Sequence, residues 1–199
     1  MTIKSQKGFT LVELAILLAI IGLILGGILG GRALLESARV SSAYNDIRDF
    51  KAATITYRSR TNNLPGLNGI PGGANAYGGA WYQSTDPNNI NVNFFDDLRD
   101  EGLIEVGTNG ELIKNPFGGV YGVRGPTFGA NSGIHFCMSN VPASAAAVLD
   151  NRYDDGVANT GEVRGIPGAN GRWSVDNNPA PNSTYEGISH AVCVNTDIS

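Results

Sequence analysis

Three hydrophobic patterns follow one another along this chain. Between Lys7 and Arg32 lie 24 residues of which only Glu13 is charged. A helix of that length covers ~36 Å, enough to cross a bilayer core, so residues 9–31 are expected to span a membrane. From Arg32 to about Asn62 there is no proline or glycine. There Val40, Ala43, Ile47, Phe50, Thr54 and Tyr57 recur at alternating steps of three and four, one face of an amphipathic helix. A single helix over residues 9–61 would be ~80 Å long. Residues 32–62 are its amphipathic half, and the apolar face is expected to carry the globular part. Asn62, Asn63, Pro65 and Gly66 end it, because a residue before proline avoids the α region and Asn and Gly favour turns.

The third pattern is short and alternating. Residues 64–79, rich in Gly, Pro and Asn, read as a loop. The phrase G-I-P-G recurs at residues 69–72 and 165–168, and two Pro-Gly turns do not make a repeat architecture. Residues 93–102 predict a short helix with Asn93 as cap, early acids and Gly102 as stop. Residues 111–123 read as strand, turn at 115–119, strand. Residues 134–138 and 187–194 are the clearest remaining strands, and residues 143–149 predict a helical turn. The fold class is α+β: one long N-terminal helix packed on a small, mostly antiparallel sheet. The globular head covers residues 63–199.

A carboxylate one turn inside a membrane helix is costly, so Glu13 needs a cationic partner. An α-amino group made by cutting before Phe9 would supply one. The run K-G-F-T-L-V-E-L at residues 7–14, followed by an uninterrupted apolar stretch, resembles the class III signal of type IV pilins and pseudopilins. The resemblance implies a leader over residues 1–8 and cleavage after Gly8 by a prepilin peptidase. It also implies methylation of Phe9 and a role for Glu13 in assembly. An ordinary secretory signal is cut after its apolar region; here the cut precedes it, and the anchor is kept. The bland alternative is a plain single-pass anchor with a stray glutamate. In many pilins a proline lets this part of the helix melt on assembly. Here Gly22, Gly26, Gly27, Gly30 and Gly31 lower helix propensity instead, or allow close packing between subunits.

Net charge is −4, and without the leader lysines 12 basic side chains face 18 acidic ones, or −6. Such a surface does not predict direct nucleic-acid binding. Lys4 and Lys7 precede the apolar run, which places the N-terminus in the cytoplasm and the head outside the bacterial inner membrane. That compartment permits disulfides. Cys137 and Cys193, the two cysteines, both sit in apolar strand-like surroundings. They are expected to pair, bounding residues 137–193 in a way that resembles the C-terminal loop of many pilins. A bridge closing about 57 residues is worth ~4 kcal/mol in the chain-entropy account. Two free thiols are the alternative.

Asp150, Asp154, Asp155 and Glu162 form a dense acidic cluster. Residues 151–162 partly match the calcium loop D-x-[DN]-x-[DN]-G-x5-E through Asp155, Gly156 and Glu162. Asn151 is a weak first ligand and Tyr153 breaks the third position. Major pseudopilins bind calcium in this part of the fold, so calcium is a candidate cofactor; a solvated turn held by local hydrogen bonds is the alternative. His135 and His190 near the cysteines lack zinc spacing. No nucleophile-elbow, zincin, Walker or dinucleotide signature occurs, so no enzyme is expected. Trp81, Tyr82, Phe94, Phe95, Phe117, Tyr121, Phe128 and Phe136 read mostly as core. The sequon at Asn182 is taken as chance.

The expected function is structural: a subunit that an inner-membrane platform and its ATPase, implied by the resemblance, assemble with other copies and related pilins. The P-x-G-x-x-Y spacing of Pro116, Gly118 and Tyr121 resembles the hairpin region of major pseudopilins, the periplasmic pistons of type II secretion. The longer domain and the cysteine pair favour a surface pilus. A membrane-anchored periplasmic enzyme is the remote third class.

Overall fold

The computed structural model describes residues 9–67, 90–125, 133–158, 160–167 and 190–198. The chain divides into two compact units, Met1–Ala38 and Arg39–Ser199. Helix α1 (Leu11–Thr61) supplies residues to both.

From residue 14 to residue 31 α1 carries no charged or polar side chain. Every large apolar side chain from Phe9 to Leu25 is exposed, from 44% at Ile21 to 90% at Leu11. A helix that is apolar all round needs an apolar environment that a lone subunit does not provide. Among the described residues no helix is long and apolar enough to cross a membrane. The expected span over residues 9–31 therefore stands on the sequence alone.

In the second unit α1 buries the stripe expected of it. Val40, Ala43, Ile47, Phe50, Thr54 and Tyr57 are all buried. Thr54 is tolerated there because its hydroxyl donates to the Phe50 carbonyl at 2.7 Å. The helix stops where Asn62 turns left-handed at φ 56. Asn tolerates that region better than most residues. Asp97 then clamps the chain, accepting from the Gly66 N–H at 2.6 Å and the Tyr57 hydroxyl at 3.2 Å.

Helix α2 (Ile90–Asp100) begins three residues before the Asn93 expected as its cap. The reason is packing: Val92, Phe94, Phe95 and Leu98 share its buried side, and the apolar period reaches back beyond Asn93. Its end follows the expectation. Gly102, at φ 63, donates to the Arg99 carbonyl, and Leu103 donates to that of Leu98. Those two bonds are the Schellman closure.

Strands β1 (Tyr121–Arg124), β2 (His135–Val141), β3 (Val163–Pro167) and β4 (His190–Asn195) form one antiparallel sheet in the order β1-β2-β4-β3. The first arm expected for the residue 111–123 hairpin is not a strand. It makes a single bridge, Lys114 to Val120. Asn115 organises this turn instead: its Oδ1 accepts from the Phe117 and Gly119 N–H groups, and its Nδ2 donates to the Ser139 carbonyl at 2.7 Å. Gly119 sits so close to β2 that a Cβ would lie 2.1 Å from the Ser139 oxygen. Strand β3 ends on Gly165, Ile166 and Pro167 of the second G-I-P-G phrase; Gly168 of the expected Pro-Gly turn lies outside the described residues. β3 is an edge strand, where proline at the last position costs no interior ladder bond.

Helix α3 (Ala143–Tyr153) extends one turn beyond the expected residues. Tyr153 stacks on Tyr44 of α1 with ring centroids 3.6 Å apart. The core lies between α1, α2 and one sheet face. Phe50 is its hub, 5.2 Å from Tyr121, 5.3 Å from Phe95 and 5.9 Å from Phe136. Phe94 is likewise fully buried, while Phe117 is partly buried. Trp81, Tyr82 and Phe128 lie outside the described residues.

Candidate functional site

The N-terminal signal begins on an exposed residue. Phe9 is 84% exposed and precedes the first turn of α1; Gly8 lies outside the described residues. Thr10 caps the helix. Its hydroxyl accepts from the Glu13 N–H at 3.2 Å, while Glu13 Oε2 accepts from the Thr10 N–H and hydroxyl, each at 2.9 Å. This is a capping box, in which two otherwise orphaned N–H donors are satisfied reciprocally. The helix dipole also favours a carboxylate in this turn. Glu13 therefore has a local role besides the cationic partner argued for it. The signal was present in the sequence as T-x-x-E at residues 10–13.

The acidic loop follows α3. One oxygen each from Asp150, Asp154 and Asp155 lies within 4.8 Å of the others; Glu162 is not in that group. Donors within the loop already hold these carboxylates. Asp150 accepts from the Gly156 N–H at 3.0 Å, and Asp154 accepts from the Val163 N–H at 2.6 Å. Asp155 accepts from the Val157 N–H at 2.8 Å and the Thr160 hydroxyl at 2.6 Å. The Thr160 hydroxyl and Val157 amide hold the exposed Asp155 carboxyl below its ordinary pKa. Calcium takes six to eight oxygens. Three carboxylates with internal donors supply only part of such a ligand set.

Three of the other candidates, His135, Cys137 and Cys193, share one sheet face. Cys137 and Cys193 are register partners in β2 and β4, and their sulfurs are joined. Side chains alternate along a strand, so His135 and Cys137 face away from Phe136 and Met138. His135 is fully buried. Burial, then Arg164 and Arg124, push its pKa down to about 4, against the opposing hydrogen bond to the Gly133 backbone and the charge of Asp197. It is thus a neutral core histidine. His190 opens β4, and nothing brings a zinc ligand set together among the described residues.

No curated protein and no solved structure matches the chain. Residues 3–29 match the family model of the prokaryotic N-terminal methylation motif. With Gly8, Phe9, Glu13 and the capping threonine inside the matched stretch, the chain carries at its N-terminus the class III prepilin signal of type IV pilins and pseudopilins.

Proposed function

We propose that the protein is a structural subunit of a type IV pilus-like filament. Prepilin peptidase cuts between Gly8 and Phe9 and methylates the new N-terminus. Before assembly, residues 9–31 anchor the subunit in the bacterial inner membrane, N-terminus in the cytoplasm and head in the periplasm. Assembly then transfers that apolar segment from lipid into the centre of a periplasmic or surface filament. The observation that carries this reading is the methylation motif heading a helix whose large apolar side chains from Phe9 to Leu25 are all exposed.

Glu13 has two tasks in this scheme. The capping bonds engage Oε2. Oε1 is left for the α-amino group of Phe9 in a neighbouring copy. A buried carboxylate is expensive alone and tolerable when paired, and pairing sets register. The partners are other copies, related pilin subunits, prepilin peptidase and an inner-membrane platform with its ATPase. The protein is not read as an enzyme, and its acidic loop is read as a structural turn.

A second reading is a pseudopilin of type II secretion, favoured by the Asn115-centred turn that carries the P-x-G-x-x-Y spacing. Intact mass of native protein from sheared extracellular material and from washed envelopes separates the two. A species starting at methylated Phe9 in the sheared fraction is expected for a surface pilus. The same species confined to envelopes indicates a pseudopilin. A mass that retains residues 1–8 in both fractions overturns both.

A further inference from the structure

A groove of about 810 Å³ lies within the Arg39–Ser199 unit, between α1 and the segment after α2. Its floor is apolar, with Phe50, Ala53, Leu112 and Ile113. Its rim carries four carboxylates, Asp46, Asp49, Glu105 and Glu111, against one ammonium, Lys114. Asp49, Glu105 and Glu111 are exposed. Arg99 runs beneath this segment, but it is paired with Asp96 and its guanidinium donates to the Val106 and Glu111 carbonyls. The groove therefore presents negative charge around an apolar floor.

The same stretch of α1 carries the complement. Arg48, Lys51, Ile55 and Arg58 recur at steps of three and four, so they form one row. Ile55 is 51% exposed. Lys51, Ile55 and Arg58 also border a shallow hollow shared with Asp197 and Ile198. Against that single acid the row holds three cations. At 100° per residue the row lies roughly 160° around α1 from the groove positions 46, 49, 53 and 56.

We propose that the acid-rimmed groove of one copy receives the Ile55-centred basic row of a second copy. The inference rests on the filament reading and deepens it by naming the contact between heads. Opposite charge steers the two surfaces together and fixes register, while Ile55 supplies an apolar centre for the apolar floor. The two surfaces lie on opposite faces of one helix. A copy whose row is docked thus still offers its own groove to the next. Such a heterologous contact propagates as an open helical polymer unless its rotation closes a ring.

The test uses the full chain in cells that process and assemble it. One variant combines Glu105→Lys with Glu111→Lys, a second combines Lys51→Glu with Arg58→Glu, and a third carries all four changes. Like charges juxtaposed across an interface repel, so each double reversal should lower polymer about tenfold or more at unchanged processed monomer. The fourfold variant should return polymer to within about threefold of the parent. Double reversals that polymerise like the parent, or a fourfold variant no better than the doubles, overturn the contact. A parent that is processed yet forms no polymer overturns the filament reading and the contact with it. Carbodiimide coupling in mixed isotope-labelled and unlabelled copies gives an independent readout. Lys51 joined to Glu105 or Glu111 between copies is expected; joining within one copy only, or to another protein, overturns the contact.

Discussion

The Tyr121 hydroxyl donates a 2.7 Å hydrogen bond to the Asp46 carboxylate, joining β1 to α1 across 75 residues of sequence. Burial, helped by Asp46, holds the phenol far above its ordinary pKa, so it is a proton donor at every working pH. Tyr121→Phe keeps the ring contact with Phe50 and removes only the bond to a charged acceptor. Chemical denaturation of the detergent-solubilised chain should show a loss of about 2 kcal/mol. A loss below about 0.5 kcal/mol would mean that water replaces the hydroxyl without cost.

The turn at Asn115 is tested by Gly119→Ala. Its new Cβ would meet the Ser139 carbonyl at 2.1 Å, and backbone on both sides must move. A destabilisation of about 2–3 kcal/mol is expected from overpacking. Gly110→Ala is the control for the left-handed region, since its φ is 85 but its Cβ meets open space. Gly119 has no positive φ, so a Gly119→Ala loss no larger than that of Gly110→Ala would count against close approach as the cause.

His135 makes stability depend on pH. Its folded pKa is lowered to about 4, against an unfolded value near 6.5. Above pH 6.5 both states are neutral and stability is complete. As pH falls through 6.5 the unfolded state takes up a proton that the folded state refuses. Stability falls until about pH 4, below which both states are charged. The cost is about 3 kcal/mol. The difference in unfolding free energy between the parent and His135→Gln should therefore change by that amount between pH 7 and pH 4. Parallel pH curves for the two proteins would sink this assignment.

The N-terminus separates two roles of one turn. Glu13→Val should leave insertion intact and block or slow assembly. Thr10→Val should cost about 1 kcal/mol at the helix start while filaments still form, because the carboxylate remains. Filaments of normal number and length in Glu13→Val would count against pairing with the Phe9 amine. Gly8→Ala should leave the leader uncut, and an unchanged mature mass would refute the cleavage site.

Local physics made much of this protein legible in its sequence. The three-four spacing from Val40 to Tyr57 named the buried face of α1, because a helix repeats its face regardless of what packs against it. Asn62 and Gly102 marked helix ends, because left-handed backbone is a property of the residue itself. The methylation motif needs no fold to be read, and neither does the capping box T-x-x-E within it. Tertiary structure decided whatever depends on partners distant along the chain. It set residues 163–167 into an edge strand, because β4 offers a ladder that no local signal announces. It reduced the first arm of the hairpin to a single bridge and extended α2 backward over its apolar contacts. It gathered Asp150, Asp154 and Asp155 and left Glu162 outside, since chain spacing does not set carboxylate distance. It also put an acid-rimmed groove and a basic row on opposite faces of α1. The helical period alone separates the two faces, but only the packing of residues 103–114 against α1 makes one of them a groove and adds Glu105 and Glu111 to its rim.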